Sequence, residues 1–516
     1  MKYIVFWLAV ILISPVTRAA EQELWFYQAT NLLPDQNVAQ LDPLWRRAAA
    51  AGYSHVLLTD SKFSRLNEMG KGYFANIDKV KQLAAELHLQ IVPAVFPIGW
   101  SNDLLGHNPN LAEGEPVKDA LFVVHHGEAK LVADPEVALP ANPDWKDESV
   151  AVAGNVATVR NNPANARFVF TVKVSPFRCY HASVWIKTDR YTGEPEIKAL
   201  AGEPLAPLHY NVLGVKRSQD WTQHHVVFNS LDNKQVKLYF GVWGKAAGTL
   251  QWRDWQMEEA GLVNVLRRPG TPLVVKGYVE GKDFEPVSDP HLGNKPWPGE
   301  YEVWHEPPTI KTKLPDGTKL RVSWFHPAII NGGSVCVCVS EKETMDLLAD
   351  QAKRVTALFQ PKGVMMSHDE IRIMNWDDAC QDRHQTPGEI LAANTKACID
   401  LLAGHQVYAW SDMFDPHHNA HDHYYLVNGD LTGSWQGLSP KVTIMNWNFG
   451  HRDESLKFFA DRGHEQIIAG YYDGNVGQIK QWMASAKKVQ GVVGYMYTTW
   501  EHKYDDLEAF AKLVKE

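Results

Sequence analysis

A chain of 516 residues is too long for one small core and leaves room for two or three domains. Its formal charge of −9 excludes partners held by positive charge, whether nucleic acid or an anionic membrane surface. Five cysteines in so long a chain exclude a disulfide framework, and none shows zinc-ligand spacing.

The first 20 residues, "MKYIVFWLAVILISPVTRAA", carry a Lys, an apolar run, then Pro15 and small residues. They read as a secretory signal peptide cleaved near Ala19 or Ala20, which implies export to the periplasm or the medium. No later apolar run reaches the roughly 20 residues that span a bilayer. The 19 Trp and 18 Tyr exceed the needs of a core and favour a carbohydrate partner, because flat aromatic faces stack on the C–H faces of sugar rings.

Residues 21–134 begin as strand, helix, strand, helix, strand: "LWFYQAT" (24–30), "LDPLWRRAAAAG", "HVLLTD" (55–60), "IDKVKQLAAELHL" and "IVPAVFP" (91–97). From 135 to 275 the helical period disappears. Runs such as "ARFVFTVKV", "YHASVWIKT" and "WTQHHVVFN" predict an all-β sandwich inserted in the third βα loop. Residues 276–516 hold a rim segment and then resume the alternation. In "EKETMDLLADQAKRVTALF", Met345, Leu348, Ala352, Val355 and Phe359 mark one buried helix face. Strands follow at 364–370, 407–413, 442–448, 467–473 and 492–500, with helices between most of them. Eight such strands predict an α/β fold, a (β/α)₈ TIM barrel with the sandwich as an insertion.

Barrel chemistry sits at the C-terminal strand ends. Here those ends read Asp60, His368-Asp369-Glu370, Trp410 with Asp412, Trp447, Tyr471-Tyr472-Asp473 and Trp500-Glu501. A carboxyl pair suits glycoside cleavage, which needs a proton donor and a group that meets the oxocarbenium-like centre. Adjacent strand residues face opposite ways, so Asp369 and Glu370 converge only if the strand turns into its loop there.

The Asp-Glu ending of the fourth strand resembles the β-N-acetylhexosaminidases of glycoside hydrolase family 20 and the related β-N-acetylgalactosaminidases, including family 123. The resemblance implies that the substrate's own 2-acetamido oxygen is the nucleophile. Asp369 would orient and stabilise it, and Glu370 would be acid and then base. It also implies an aromatic pocket from Trp410, Trp447 and Trp500, with Tyr471 or Tyr472 bonding the acetamido oxygen and Glu501 the sugar hydroxyls. His368, Arg372 and Asp412 complete the expected binding set. No cofactor and no metal are implied, and the partner is a glycan ending in N-acetylhexosamine. The sequence departs from family 20 in having Met366-Ser367-His368 before the pair and no Arg in its first strand; Arg372 or His326 would substitute. Those departures favour GalNAc over GlcNAc. The inserted sandwich resembles jelly-roll carbohydrate-binding modules through "WIKT" and "WRDWQMEEAG", with Trp185, Trp243, Trp252 and Trp255 divided between core and sugar stacking.

Three other readings use the same residues. A two-carboxylate retaining glycosidase would take Asp412, Asp473 or Glu501 as nucleophile. A metal-dependent hydrolase or deacetylase would use His417, His418, His421 and His423 beside Asp415 and Asp422. The last is a sugar-binding protein without catalysis.

Overall fold

In the first strand, β1 (Glu23–Ala29), side chains alternate between two surroundings. Leu24 and Phe26 pack outward against helix residues such as Leu41 and Trp45. Trp25 instead joins Leu57, Val92, Met365, Met445 and Met496, each from a different strand, in a separate cluster. That second cluster is the filled interior of a barrel. The computed structural model describes residues 22–516, so the leader read at 1–20 lies outside the described residues.

The remaining barrel strands are β2 (His55–Thr59), β3 (Gln90–Val95), β4 (Gly363–Met366), β5 (Gln406–Trp410), β6 (Thr443–Asn446), β7 (Gln466–Ala469) and β8 (Val492–Tyr497). All neighbours are parallel, and β8 closes on β1 with Trp25 opposite Met496 and Phe26 opposite Tyr497. Every residue of β4, β6 and β7 is buried, which is why these strands read as unbroken apolar runs. The outer layer is α1 (Asp35–Ala51), α2 (Lys71–Glu86), α3 (Lys342–Phe359), α4 (Pro387–Leu401), α5 (Arg452–Ala460), α6 (Ile479–Ala486) and α7 (Leu507–Lys515). Among the described residues, the connection from β5 to β6 has short 3₁₀ turns in place of an α-helix. Local signals set the helix ends. Thr386 and Glu389 form a reciprocal cap around Pro387 at the start of α4, and Gly52 ends α1 at φ 90°. No helix among the described residues is long and apolar enough to cross a membrane.

Between β3 and α3 the chain builds three more sheets. Residues 145–259 form two five-stranded antiparallel sheets around one core that includes Phe168, Tyr180, Phe240 and Trp252. Trp252 and Trp255 are buried in that core. Trp185 and Trp243 are half-buried and covered by cations, with Lys198 Nζ 3.7 Å from the Trp243 ring.

A third sheet pairs Gly114–His125 and Glu128–Leu131 with Val274–Val275, Ile310–Lys311 and Lys319–Pro327. Sequence reading assigns 114–131 to the barrel's first part and 276 onward to its second. Both segments instead leave the barrel and pair with each other. The cause is an alternating face, Ala120, Phe122 and Val124 with Leu320, Val322 and Trp324, continued to Val117 across a bulge, that buries only as a sheet. Nor does the sandwich core end at the sandwich. Ile373 and Leu426, from the loops after β4 and β5, belong to it and pair with each other as a short parallel ribbon.

Candidate active site

The strand β4 continues its period for three residues beyond its end and then breaks. Val364, Met366 and His368 face the helices, while Met365, Ser367 and Asp369 face the barrel mouth. Glu370 has φ 50°, a left-handed conformation uncommon for a residue with a side chain. This turn brings Glu370 into the same cleft as Asp369. Two contacts hold it. The Glu370 amide donates to Asp412 Oδ2 at 2.8 Å, and the backbone of Gly99 lies directly on the dipeptide. A Cβ at position 99 would stand 2.0 Å from the Asp369 carbonyl oxygen, so a side chain there is excluded.

The cleft, of about 660 Å³, opens at the C-terminal ends of the strands. Tyr27 comes from β1, Asp60 from the end of β2 and Trp100 from the loop after β3. Asp369, Glu370 and Arg372 follow β4, and Trp410 ends β5. Trp447, Tyr472 with Asp473, and Trp500 with Glu501 follow the last three strands. The rings of Trp447 and Tyr472 are nearly parallel at 6.2 Å, and Trp500 lies 5.7 Å from Trp410 and 5.0 Å from Tyr27. These rings form apolar walls, between which polar groups such as Asp60, Asp369, Glu370 and Asp473 also line the cleft.

Three carboxyl groups, Asp369, Glu370 and Asp412, cluster here, and Glu370 is paired with a guanidinium. Arg372 Nη2 is 2.6 Å from Glu370 Oε2 and its plane lies 4.8 Å from the Trp100 ring. Arg372 is buried, and its Nε and Nη1 have no hydrogen-bond partner among the described residues. Burial pushes the Asp369 carboxyl up to about 8, reinforced by the charges of Asp412 and Glu370. Burial also raises Glu370, against the opposing pull of Arg372, and raises Asp412 to about 6. At neutral pH the cluster therefore retains at least one proton, the requirement for an acid catalyst. Burial and the Asp369 charge lift the Tyr27 phenol to about 12. Its oxygen accepts from Thr59 Oγ1 at 3.2 Å, leaving its own proton to give.

Of the residues expected from sequence, Asp369, Glu370, Arg372, Trp410, Trp447, Tyr472, Trp500 and Glu501 meet in the cleft. Three stand outside it. His368 is fully buried, bonded through Nε2 to Asn394 Oδ1 at 3.0 Å, because the strand period turns it toward α4. Tyr471 stacks on Tyr497 at 4.2 Å and bonds Asp506, since the chain leaves the sheet at Gly470 and its face rotates away. Asp412 sits behind the wall, accepting from Glu370 N, Asn419 Nδ2 and Trp447 Nε1. His326 is buried in the third sheet against Asn229, so Arg372 alone of that pair reaches the cleft. In the histidine-rich loop His418 packs on Trp447 at 4.5 Å. Among the described residues those histidines do not gather into a three-ligand group.

Tyr27 and Trp100 were not foreseen. Tyr27 was available by counting: it stands two residues from the inward Trp25. Trp100 carries no comparable signal, since its placement depends on Gly99 packing on a distant loop.

No protein-family model matches the chain, and no curated protein does. Among solved structures it is similar to a Flavobacterium johnsoniae chitobiase, at 11% identity and TM-score 0.41 over 95% of this chain and 47% of that one. The chain thus spans about half the length of that enzyme. It is similar to a β-N-acetylhexosaminidase at 10% identity and TM-score 0.43, over 95% of this chain and 71% of that chain. Thirty per cent of it is similar, at 17% identity and TM-score 0.18, to 99% of a chain described as a CBM4 structure. These likenesses are distant, and function rests on the residues of the cleft.

Proposed function

We propose that the chain is an exo-acting glycoside hydrolase that releases terminal β-linked N-acetylhexosamine, with GalNAc ahead of GlcNAc, by substrate-assisted retaining catalysis. The observation that carries this reading is the left-handed turn at Glu370, which opens two sequence-adjacent carboxyls into one aromatic-walled cleft. Neighbours so close serve neighbouring atoms of one sugar rather than its opposite faces.

In the proposed reaction the acetamido carbonyl oxygen attacks the anomeric carbon as the bond to the leaving oxygen breaks. Glu370 gives its proton to that oxygen. Asp369 accepts the acetamido N–H and offsets the positive charge of the oxazolinium ion. As that charge develops it favours ionised Asp369, and the cluster's proton is left to Glu370. Glu370 then takes a proton from water, which opens the ring at the anomeric carbon and retains its configuration. Tyr27, with a free phenolic proton, is the donor suited to the acetamido oxygen, the role the resemblance gave to Tyr471 or Tyr472. Arg372 and Glu501 would hold hydroxyls, and Trp410, Trp447 and Trp500 the ring faces. The sandwich would be a jelly-roll, carbohydrate-binding-like module, and the leader would direct export.

The rival nucleophiles are engaged elsewhere, which supports substrate assistance. Asp412 accepts three hydrogen bonds behind the wall. Asp473 accepts from Thr499 and from the amides of Trp500 and Glu501, and Glu501 pairs with Lys503. A panel of nitrophenyl β-glycosides tests the reading. GalNAc and GlcNAc substrates should turn over, glucosides and galactosides without the acetamido group should be barely cleaved, and a thiazoline mimic of the intermediate should bind tightly. A fluorinated glycoside trapped covalently on Asp412, Asp473 or Glu501 would overturn it.

A further inference from the structure

Away from the cleft, four side chains with metal-binding atoms meet in the interior. Glu113, Cys338, Asp377 and Cys380 are all buried, and one ligand atom from each lies within 4.8 Å of the others. Cys338 Sγ is 3.6 Å from Cys380 Sγ and 3.5 Å from Asp377 Oδ1; Cys380 Sγ is 3.5 Å from Glu113 Oε2. A tetrahedral zinc centre, with Zn–S about 2.3 Å and Zn–O about 2.0–2.2 Å, has edges of about 3.8 Å for S···S and about 3.5 Å for S···O. The three edges at the sulfur atoms agree with these to about 0.2 Å, and the remaining edges lie within 4.8 Å.

The carboxylates are also oriented as ligands are. Asp377 Oδ2 takes Arg268 Nη2 at 2.5 Å, while Oδ1 accepts the Cys380 amide at 3.0 Å and faces Cys338. Glu113 Oε1 accepts the amides of Trp376 and Asp377 at 2.8 and 3.3 Å, which leaves Oε2 turned to Cys380. Outer partners of this kind fix ligand oxygens at metal centres. A Cys338–Cys380 disulfide fits less well, because it would donate nothing to Glu113 Oε2 and would strand that oxygen in the interior. A dication does the reverse: with Arg268 it offsets three of the four ligand charges.

We propose that Glu113, Cys338, Asp377 and Cys380 form a closed structural site for a thiolate-preferring divalent cation, for which zinc is the best chemical match. It joins three segments: the chain entering the third sheet, the chain returning to α3, and the loop that follows Glu370 and Arg372. Four protein ligands leave no open position, so the ion would brace the catalytic loop rather than take part in the reaction.

The test is metal content and thiolate ligation in the intact protein. Wild type grown with zinc and purified without chelator should carry one equivalent. Cys338→Ser and Cys380→Ser should lose at least about tenfold in bound zinc, while His423→Ala keeps it. Should the serine variants not fold, wild type grown on cobalt gives an independent reading: thiolate-to-cobalt charge-transfer bands with the intensity of two thiolates and tetrahedral d–d absorption. Substoichiometric metal in both preparations, or recovery of Cys338 and Cys380 as a disulfide-linked peptide pair, would overturn the proposal.

Discussion

Asp369→Asn should make the protein more stable at neutral and alkaline pH while it damages catalysis. The carboxyl of Asp369 rises from 3.8 to about 8 on folding, through burial first and then the charges of Asp412 and Glu370. A group raised in this way contributes fully below its unfolded pKa, and that contribution is lost as pH climbs through the folded value. Wild type should therefore weaken between about pH 4 and pH 8, and asparagine, which cannot ionise, should not. At about 1.4 kcal/mol per unit the ceiling is about 6 kcal/mol. Asp369 is only half-buried and opens to water in the cleft, so about 2 kcal/mol is the expected gain at pH 8. For a unit the size of the barrel that is a rise in Tm of roughly 4 °C. Calorimetry of both proteins at pH 4, 6 and 8 measures it, with hydrolysis assayed in parallel. The rate should fall steeply while binding of substrate survives, because the lost charge matters most once positive charge develops. An asparagine variant no more stable than wild type at pH 8, or an advantage that persists undiminished at pH 4, would refute the account of the carboxyl cluster.

Glu370→Gln should cost about 10²–10⁴-fold on substrates with poor leaving groups and less on activated aryl glycosides. In wild type kcat/KM should decline above pH 8 as the cluster's last proton leaves, and this limb should flatten in the variant with activated substrates. Tyr27→Phe removes a donor without removing the ring, so kcat should drop about 10–100-fold, the worth of a 1–3 kcal/mol hydrogen bond, with KM little changed. Deleting the sandwich, residues 145–259, should abolish activity even where the barrel stays folded, as judged by far-ultraviolet dichroism. Ile373 and Leu426 would lose their cover, at about 1.5–3 kcal/mol each, on the loops beside Arg372. Unimpaired cleavage of small substrates by the deleted protein would show that the two cores are independent.

The eight strands were legible because barrel strands carry their own signal, a short apolar β-rich run with a polar or aromatic end. The period of two could have been pressed further. With Met365 inside, Asp369 must be inward and His368 outward; with Trp25 inside, Tyr27 must be inward as well. The same count fails at β7. Ile467 and Ala469 face inward and would send Tyr471 after them, but the chain leaves the sheet at Gly470 and Tyr472 enters the cleft instead. A period is a property of the sheet and stops with it. The third sheet was missed for a related reason, since its two halves lie about 150 residues apart and neither half shows where its partner is.

Glu370 belongs to neither case. Its side chain reaches Asp369's cleft because of a positive φ that no local pattern requires. That turn is held by Gly99 on its outer side, by Asp412 at its amide and by Arg372 at its carboxylate. Each support comes from a segment whose position depends on the completed barrel. The dipeptide could thus suggest the chemistry, but only tertiary contacts convert two side chains that a strand would send apart into groups able to act on one sugar. It follows that substitutions at Gly99, which touches no substrate, should be as damaging as substitutions at Glu370 itself: a side chain there would collide with the Asp369 and Glu370 carbonyl oxygens and drive the turn out of place. Gly99→Ala with a normal rate would mean that the pair does not need this turn, and the reading of the site would fall with it.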